Sequence, residues 1–294
     1  MKIIDGKGLA NRLKDDLRQK TDQLAAEGHR RPHLAAILVG NNPASESYVR
    51  NKVRSCEQAG FESTLIRRPA DVPEAELLSI IDDLNQNPAI DGYIVQLPLP
   101  DHIDEQKLLL AIHPDKDVDG FHPMNFGKMA QGMDSFLPAT PYGILLMLEH
   151  YGIETSGKEV VVIGRSNIVG TPMSILLSRK SNPGNATVTL VHSRTQDLKA
   201  HTLRADIIIA AIGIPEFLKP DMVKDGAVII DVGINRVDDA SRKRGYRLVG
   251  DVDFEGLAPK VSFMTPVPGG VGPMTVLGLM MNTMKAYKRN GVTV

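Results

Sequence analysis

At 294 residues the chain is long enough for two lobes or one large α/β unit built around a sizeable core. Hydrophobic residues make up 42% and charged residues 23%, the proportions of a globular protein and not of a disordered one. The formal net charge of −1 gives no bulk electrostatic pull toward nucleic acid or membrane, and a single cysteine, Cys56, excludes an internal disulfide and any cysteine-cluster metal site.

The opening stretch, MKIIDGKGLA, lacks the apolar run of a signal peptide, and runs such as HLAAILVG and GILLML are too short to span a bilayer. With one cysteine, which fits a reducing compartment, the expected location is the cytoplasm. Leu9, Leu13, Leu17 and Leu24 mark a first helical stripe. A buried strand follows at His33–Gly40, then a helix from Pro43 to Ala59 closed by Gly60. STLIR reads as a strand, PEAELLSIIDDLNQ as an amphipathic helix begun by Pro73, and IDGYIVQLPLP as a strand entering a proline-stiffened loop. Ile112 to Pro141, rich in Gly, Pro and Asp, reads as a long connection of functional or interlobe character. TPYGILLMLEHYG resumes as a helix.

A second series then begins. KEVVVIG is a strand, GTPMSILLSRK a helix, ATVTLVHS a strand, and ADIIIAAIG and GAVIIDVG two more buried strands. A last helix starts at the Pro-Gly-rich TPVPGGVGPMTV and runs through LGLMMNTMKAYKRN. The alternation predicts parallel sheets covered by helices, in two α/β lobes around a cleft of the kind that holds small molecules.

The most legible motif is VVVIGRSNIVGTP, a strand ending at Gly164, a tight turn, and a helix opening near Gly170. Helix N-terminal N–H groups in that context attract a pyrophosphate. The spacing departs from Gly-x-Gly-x-x-Gly, with Ser166 at the middle glycine, so an ordinary βα turn weighs about evenly against a dinucleotide site. The next strand ends TLVHSRT, where a protein specific for NAD would present a carboxylate to the ribose. His192, Ser193 and Arg194 stand there instead, with Arg165 in the first turn, which favours NADP over NAD; a solvated arginine at a strand end is the ordinary alternative.

DKDVDG, from Asp115, opens like a calcium loop, but its twelfth position is Phe126, so calcium is rejected. The eight histidines show no ligand spacing, and no metal is expected. Gln96 ends an apolar strand, where a polar side chain faces a ligand or caps the strand. Tyr48 and Lys52 lie one helical turn apart, on one face. A solvated surface is the ordinary reading of such a pair. The Tyr-x-x-x-Lys centre of short-chain dehydrogenases follows its dinucleotide turn, and here the order is reversed.

Taken together, LVGNNPASESYVRNKVRSCEQAGF, DGYIVQLPLPDHI, HPDKDVDGFHPMNFG, GRSNIVGTPMS, DVGIN and TPVPGGVGPMT resemble, in order and over nearly the whole chain, the bifunctional methylenetetrahydrofolate dehydrogenase/cyclohydrolase family. The resemblance implies oxidation of 5,10-methylenetetrahydrofolate with NADP and hydrolysis of the methenyl product to 10-formyltetrahydrofolate. It makes Lys52 the central acid–base residue, with Tyr48 beside it, Gln96 hydrogen-bonding it, and Asp119 holding the pterin. Val95, Leu97, Pro268, Gly269 and Gly272 would line the folate site. Gly164, Arg165, Ser166, Ser193 and Ile234 would meet NADP, as would Thr140, Gly233 and Thr275. The implied organisation is a folate-binding catalytic lobe at 1–139, with the helix 273–294 packed back on it, and a Rossmann-like NADP-binding lobe at 140–272. A homodimer is implied, with no nucleic acid or membrane partner. Arg54 and Ala139 stand where the family often has Lys and Cys. The alternatives are a monofunctional dehydrogenase and, from another class, a non-catalytic folate- or nucleotide-sensing module.

Overall fold

The structure is a computed structural model that describes residues 1–242 and 245–291. Its elements in chain order are β1 (Lys2–Ile3), α1 (Gly6–Ala26), β2 (His33–Val39), α2 (Pro43–Gln58), β3 (Glu62–Arg68), α3 (Glu74–Gln86), β4 (Gly92–Val95), α4 (Glu105–Ala111), α5 (Pro123–Ala130) and α6 (Ala139–His150). There follow β5 (Glu159–Ile163), α7 (Gly170–Ser178), β6 (Thr187–Val191), α8 (Leu198–Thr202), β7 (Ile207–Ala210), β8 (Val228–Asp231), β9 (Asn235–Asp238), β10 (Tyr246–Val249), α9 (Phe254–Leu257), β11 (Phe263–Met264) and α10 (Val271–Arg289).

The chain forms two compact units, one of Asn11–Ala139 with Val276–Val294, the other of Met1–Ala10 with Thr140–Thr275. The first holds a parallel sheet in the order β3-β2-β4, with Leu34 and Ile37 of β2 paired to Gly92 and Val95 of β4. β2 is buried along six of its seven residues, the pattern of a central parallel strand whose sheet is covered on both faces. Its core gathers Ile37, Leu77, Ile81, Tyr93 and Leu108, each worth about 2 kcal/mol in transfer from water. The carboxylate of Asp91, fully buried, accepts from both terminal nitrogens of Arg30 at 2.7 and 2.6 Å, from His33 N at 2.8 Å and from Asn290 at 3.0 Å. So many donors are what make a buried charge tolerable.

The second unit carries six parallel strands in the order β1-β11-β8-β7-β5-β6. β5 lies between β6 and β7, so the chain leaves it toward one edge and returns on the other side, creating a switch point at the carboxyl ends of the strands. β9 and β10 make a separate antiparallel ribbon.

Three differences from the sequence reading stand out. Residues 1–10 fall in the six-stranded unit and not with 11–139, because Lys2 and Ile3 extend its sheet by pairing with Phe263 and Met264. The boundary near the C-terminal helix lies at Val276, within α10, and residues 292–294 of the 273–294 range are outside the described residues. The 112–141 connection contains a helix, α5, with Pro123 at its first turn and the His122 ring accepting from Met124 N at 3.0 Å.

Candidate active site

In the three-stranded unit, α2 carries Tyr48 and Lys52, while Gln96 lies directly beyond β4. The structure brings two of these together: Lys52 Nζ donates to Gln96 Oε1 at 3.1 Å. Gln96 Nε2 donates to Leu97 O at 2.8 Å, which fixes the amide so that its oxygen is turned to the lysine. Lys52 and Gln96 are half-buried, and Tyr48, one turn earlier, is 45% exposed. Val95 is buried, its side chain in the hydrophobic core. Leu97 is half-buried and joined to Pro98 by a cis peptide.

Asp119 stands on the loop after β4's neighbour Asp117, which bridges to Tyr93. Desolvation raises the Asp119 pKa above the ordinary carboxylate range, and the charge of Lys52 pulls it back down. The loop is held on both sides of that residue. Buried Asp117 accepts from Phe121 N at 3.2 Å, His122 N at 2.8 Å and Asn125 Nδ2 at 2.9 Å, and burial pushes its own pKa up to about 6. Asn282, buried on α10, donates to Val118 O at 2.8 Å and Leu137 O at 2.7 Å.

In the six-stranded unit, Gly164 follows β5 with φ of 112°, and a Cβ there would sit 2.1 Å from Ala211 O. Only glycine permits that approach of the β5 and β7 turns. Arg165 and Ser166 are exposed beyond it, and Ser193 and Arg194 are exposed beyond β6. The Ser166 hydroxyl accepts from Val169 N at 3.1 Å and Gly170 N at 3.4 Å. It thus occupies N–H groups that the sequence reading offered to a pyrophosphate. Asp197, the next carboxylate after the β6 tip, accepts from Ala200 N at 3.3 Å as the cap of α8. A tight glycine turn, two exposed guanidiniums and an engaged carboxylate fit a phosphorylated dinucleotide.

Also in this unit, Thr140 and Thr275 share a hydroxyl hydrogen bond of 2.9 Å. Ile234 is 43% exposed, and a Cβ on Gly272 would lie 3.4 Å from its Cδ1, so one residue assigned to cofactor and one assigned to folate adjoin. Pro268, after a cis peptide, is exposed, and Gly269 O accepts from Lys7 N at 2.8 Å. Gly233 is buried, its N donating to Asp231 Oδ1 at 3.0 Å.

Sequence reasoning missed Asp117, Asn282, Asp231 and Asp251. The signal for Asp231 was a carboxylate ending an apolar strand; Asp251 and Asn282 carried none, since each acts on residues far along the chain. Among the described residues no group of His, Cys, Asp and Glu could hold a metal, and no helix is long and apolar enough to cross a membrane.

Residues 4–119 match the tetrahydrofolate dehydrogenase/cyclohydrolase catalytic domain, and residues 138–291 match the NAD(P)-binding domain of the same family. The chain is 61% identical over 288 residues to the bifunctional protein FolD of Flavobacterium johnsoniae, covering 98% of each chain. Its structure is similar to that of the bifunctional FolD dehydrogenase/cyclohydrolase from Campylobacter jejuni, with a TM-score of 0.92, 46% identity, and 98% and 99% of the two chains covered. It is also similar to the Trypanosoma brucei dehydrogenase-cyclohydrolase complexed with NADP and an inhibitor, with a TM-score of 0.92, 38% identity, and 98% and 97% covered. Two domains of one family matched in order, on two α/β units, establish that the chain is an enzyme of the tetrahydrofolate dehydrogenase/cyclohydrolase family.

Proposed function

We propose that this chain oxidises 5,10-methylenetetrahydrofolate to the 5,10-methenyl form with NADP and hydrolyses that product to 10-formyltetrahydrofolate, with Lys52 as the acid–base residue. The observation that carries the reading is the Lys52 Nζ to Gln96 Oε1 hydrogen bond, an amine oriented by a neutral partner on a half-buried surface. The bound cofactor supplies the first step's hydride acceptor. The protein's part in that step is positional, holding donor and acceptor carbons in register and excluding water. Asp119 is assigned to the pterin ring, where a carboxylate that desolvation inclines toward its neutral form can share a proton with ring nitrogens.

The second step needs proton traffic. Water adds to the bridging carbon of the methenyl cation, and one water proton passes to Lys52 Nζ acting as general base. As the carbon–nitrogen bond to the ring nitrogen breaks, the adduct's hydroxyl becomes the formyl carbonyl and releases its proton to solvent, the ring nitrogen takes the proton held by the lysine, and the formyl group stays on the other nitrogen. Gln96 keeps the amine aimed without adding a charge that would hold its proton. Tyr48 is assigned to the folate with Val95 and Leu97 of the same unit, and the family resemblance assigns Pro268, Gly269 and Gly272 to folate as well.

For the cofactor we assign Gly164, Arg165, Ser166, Ser193, Ile234, Thr140, Gly233 and Thr275, with Arg165 supporting NADP over NAD by its exposed guanidinium at the first turn. A cytoplasmic location, read from the N-terminal sequence and the single cysteine, and a homodimeric state, carried over from the family resemblance, complete the proposal. The test is spectrophotometric. Methylenetetrahydrofolate is mixed with NADP and with NAD in turn, following reduced nicotinamide and the methenyl absorbance together. Reduction with NADP and little methenyl accumulation is the expected result. Full accumulation of the methenyl form would reduce the chain to a monofunctional dehydrogenase, and no absorbance change would leave only a binding module.

A further inference from the structure

Two buried carboxylates join the segments at the carboxyl edge of the six-stranded sheet. Asp231, 3% exposed, ends β8, and Asp251, fully buried, follows β10. Asp231 Oδ1 accepts from Gly233 N at 3.0 Å and Asp251 N at 2.9 Å, while its Oδ2 accepts from Val252 N at 3.1 Å. Asp251 in turn reaches across the edge. Its Oδ2 accepts from Ile212 N at 2.7 Å and Gly213 N at 2.9 Å, beyond β7, and its Oδ1 accepts from Asn235 Nδ2 at 2.9 Å, at the start of β9.

The residues packed around these groups leave room for nothing else. A Cβ on Gly233 would lie 2.2 Å from Asp251 Oδ1, and one on Gly250 would lie 1.7 Å from Asp231 Oδ2. The two segments that Asp251 ties are the ones next to the proposed cofactor residues. Ala211, directly before Ile212, presents the carbonyl against which Gly164 is packed. Asn235 directly follows exposed Ile234. Two backbone donors and one side-chain donor on a single buried carboxylate define one conformation for both turns at once.

We propose that Asp251 is a positioning residue for the dinucleotide, setting the β7 and β8 turns against the cofactor without touching it. This rests on the reading that the carboxyl edge of this sheet binds NADP. Removing the carboxylate leaves Ile212 N, Gly213 N and the Asn235 amide without their acceptor, and the turns relax away from the bound geometry. Asparagine at 251 keeps one oxygen for the two backbone donors. Its amide nitrogen can then donate to Asn235 once that side chain turns its own oxygen inward.

The experiment compares D251A, D251N and wild type in two assays on the full chain: dehydrogenase kinetics against NADP concentration, and hydrolysis of preformed methenyltetrahydrofolate without cofactor. The expected result is a KM for NADP raised at least about 10-fold in D251A, within about 3-fold of wild type in D251N, with hydrolysis within about 2-fold in both. A wild-type KM in D251A, or parallel loss of both activities, overturns the proposal. Where D251A fails to fold by circular dichroism, N235A decides. A several-fold rise in KM with hydrolysis retained supports the role, and an unchanged KM refutes it. If wild type itself shows no NADP titration in either reduction or binding, the cofactor reading has failed, and not the role of Asp251.

Discussion

The lysine-bearing face of the three-stranded unit and the edge of the six-stranded unit proposed for the cofactor are built on opposite plans. Lys52, Gln96 and Tyr48 are half-buried or exposed side chains on a helix and a strand end, held by few bonds. At the other edge the working parts are backbone turns, kept in place by glycines that have no room for a side chain and by carboxylates buried beneath them. Chemistry that moves protons needs side chains with some freedom. Recognition of a long, flexible cofactor by backbone groups needs turns with none. Substitutions in the first region should therefore remove rate and leave stability, whereas those in the second should take affinity and stability down together.

The sharpest break is Lys52→Met. Hydrolysis of the methenyl substrate is expected to fall by about 10²–10⁴-fold, the usual worth of a positioned acid–base group, with the melting temperature unchanged. A variant that hydrolyses at the wild-type rate removes Lys52 from the mechanism. Gly164→Ala comes next and tests the other plan. Its Cβ meets Ala211 O at 2.1 Å in a backbone of φ 112°, so we expect at least about 3 kcal/mol of lost stability. Titration calorimetry should show NADP affinity falling in the same variant. Arg165→Ala is smaller: about a 10-fold loss in kcat/KM for NADP with NAD unchanged, as expected for one charge-assisted contact to a phosphate.

The smallest effect is a pH dependence of stability. Burial raises the Asp231 pKa from 3.8 to about 7, with the neighbouring Asp251 charge adding to the rise and backbone donors opposing it. The unfolded carboxyl is ionised well below that range, so the folded state binds the extra proton. Its contribution is full below pH 4, declines as the pH climbs toward 7, and is gone above it. Urea unfolding from pH 6 to pH 8 should therefore show wild type losing about 1 kcal/mol more than Asp231→Asn. Equal slopes for the two proteins would remove this carboxyl from the account.

Strands and long helices were legible because their signals are local. Val160–Ile163, Ile207–Ala210 and residues 228–230 are aliphatic runs and are buried throughout. The helix read from Pro43 to Ala59 is found at Pro43–Gln58. α5 was hidden because a proline opens it, a histidine caps it and Gly127 interrupts its apolar pattern. β9 and β10 were hidden because Asn235–Asp238 alternates charged residues on a short exposed ribbon, with no apolar run to mark it. In the candidate site, Lys52 and Gln96 could be singled out by motif and by position at a strand end. Asp251 could not, because its partners Ile212 and Asn235 lie well before it in sequence and meet it only through the sheet order.

Asn282 has a consequence for how the polypeptide matures on the ribosome. The carbonyls of Val118 and Leu137 that it secures are synthesised early, yet the amide arrives only after the whole six-stranded unit has been translated. A nascent chain stalled before that point carries every strand of the three-stranded sheet and the Asp117 bonds within the loop, while the carbonyls of Val118 and Leu137 on either side of Asp119 still lack this donor, so the loop is fully secured only late in synthesis.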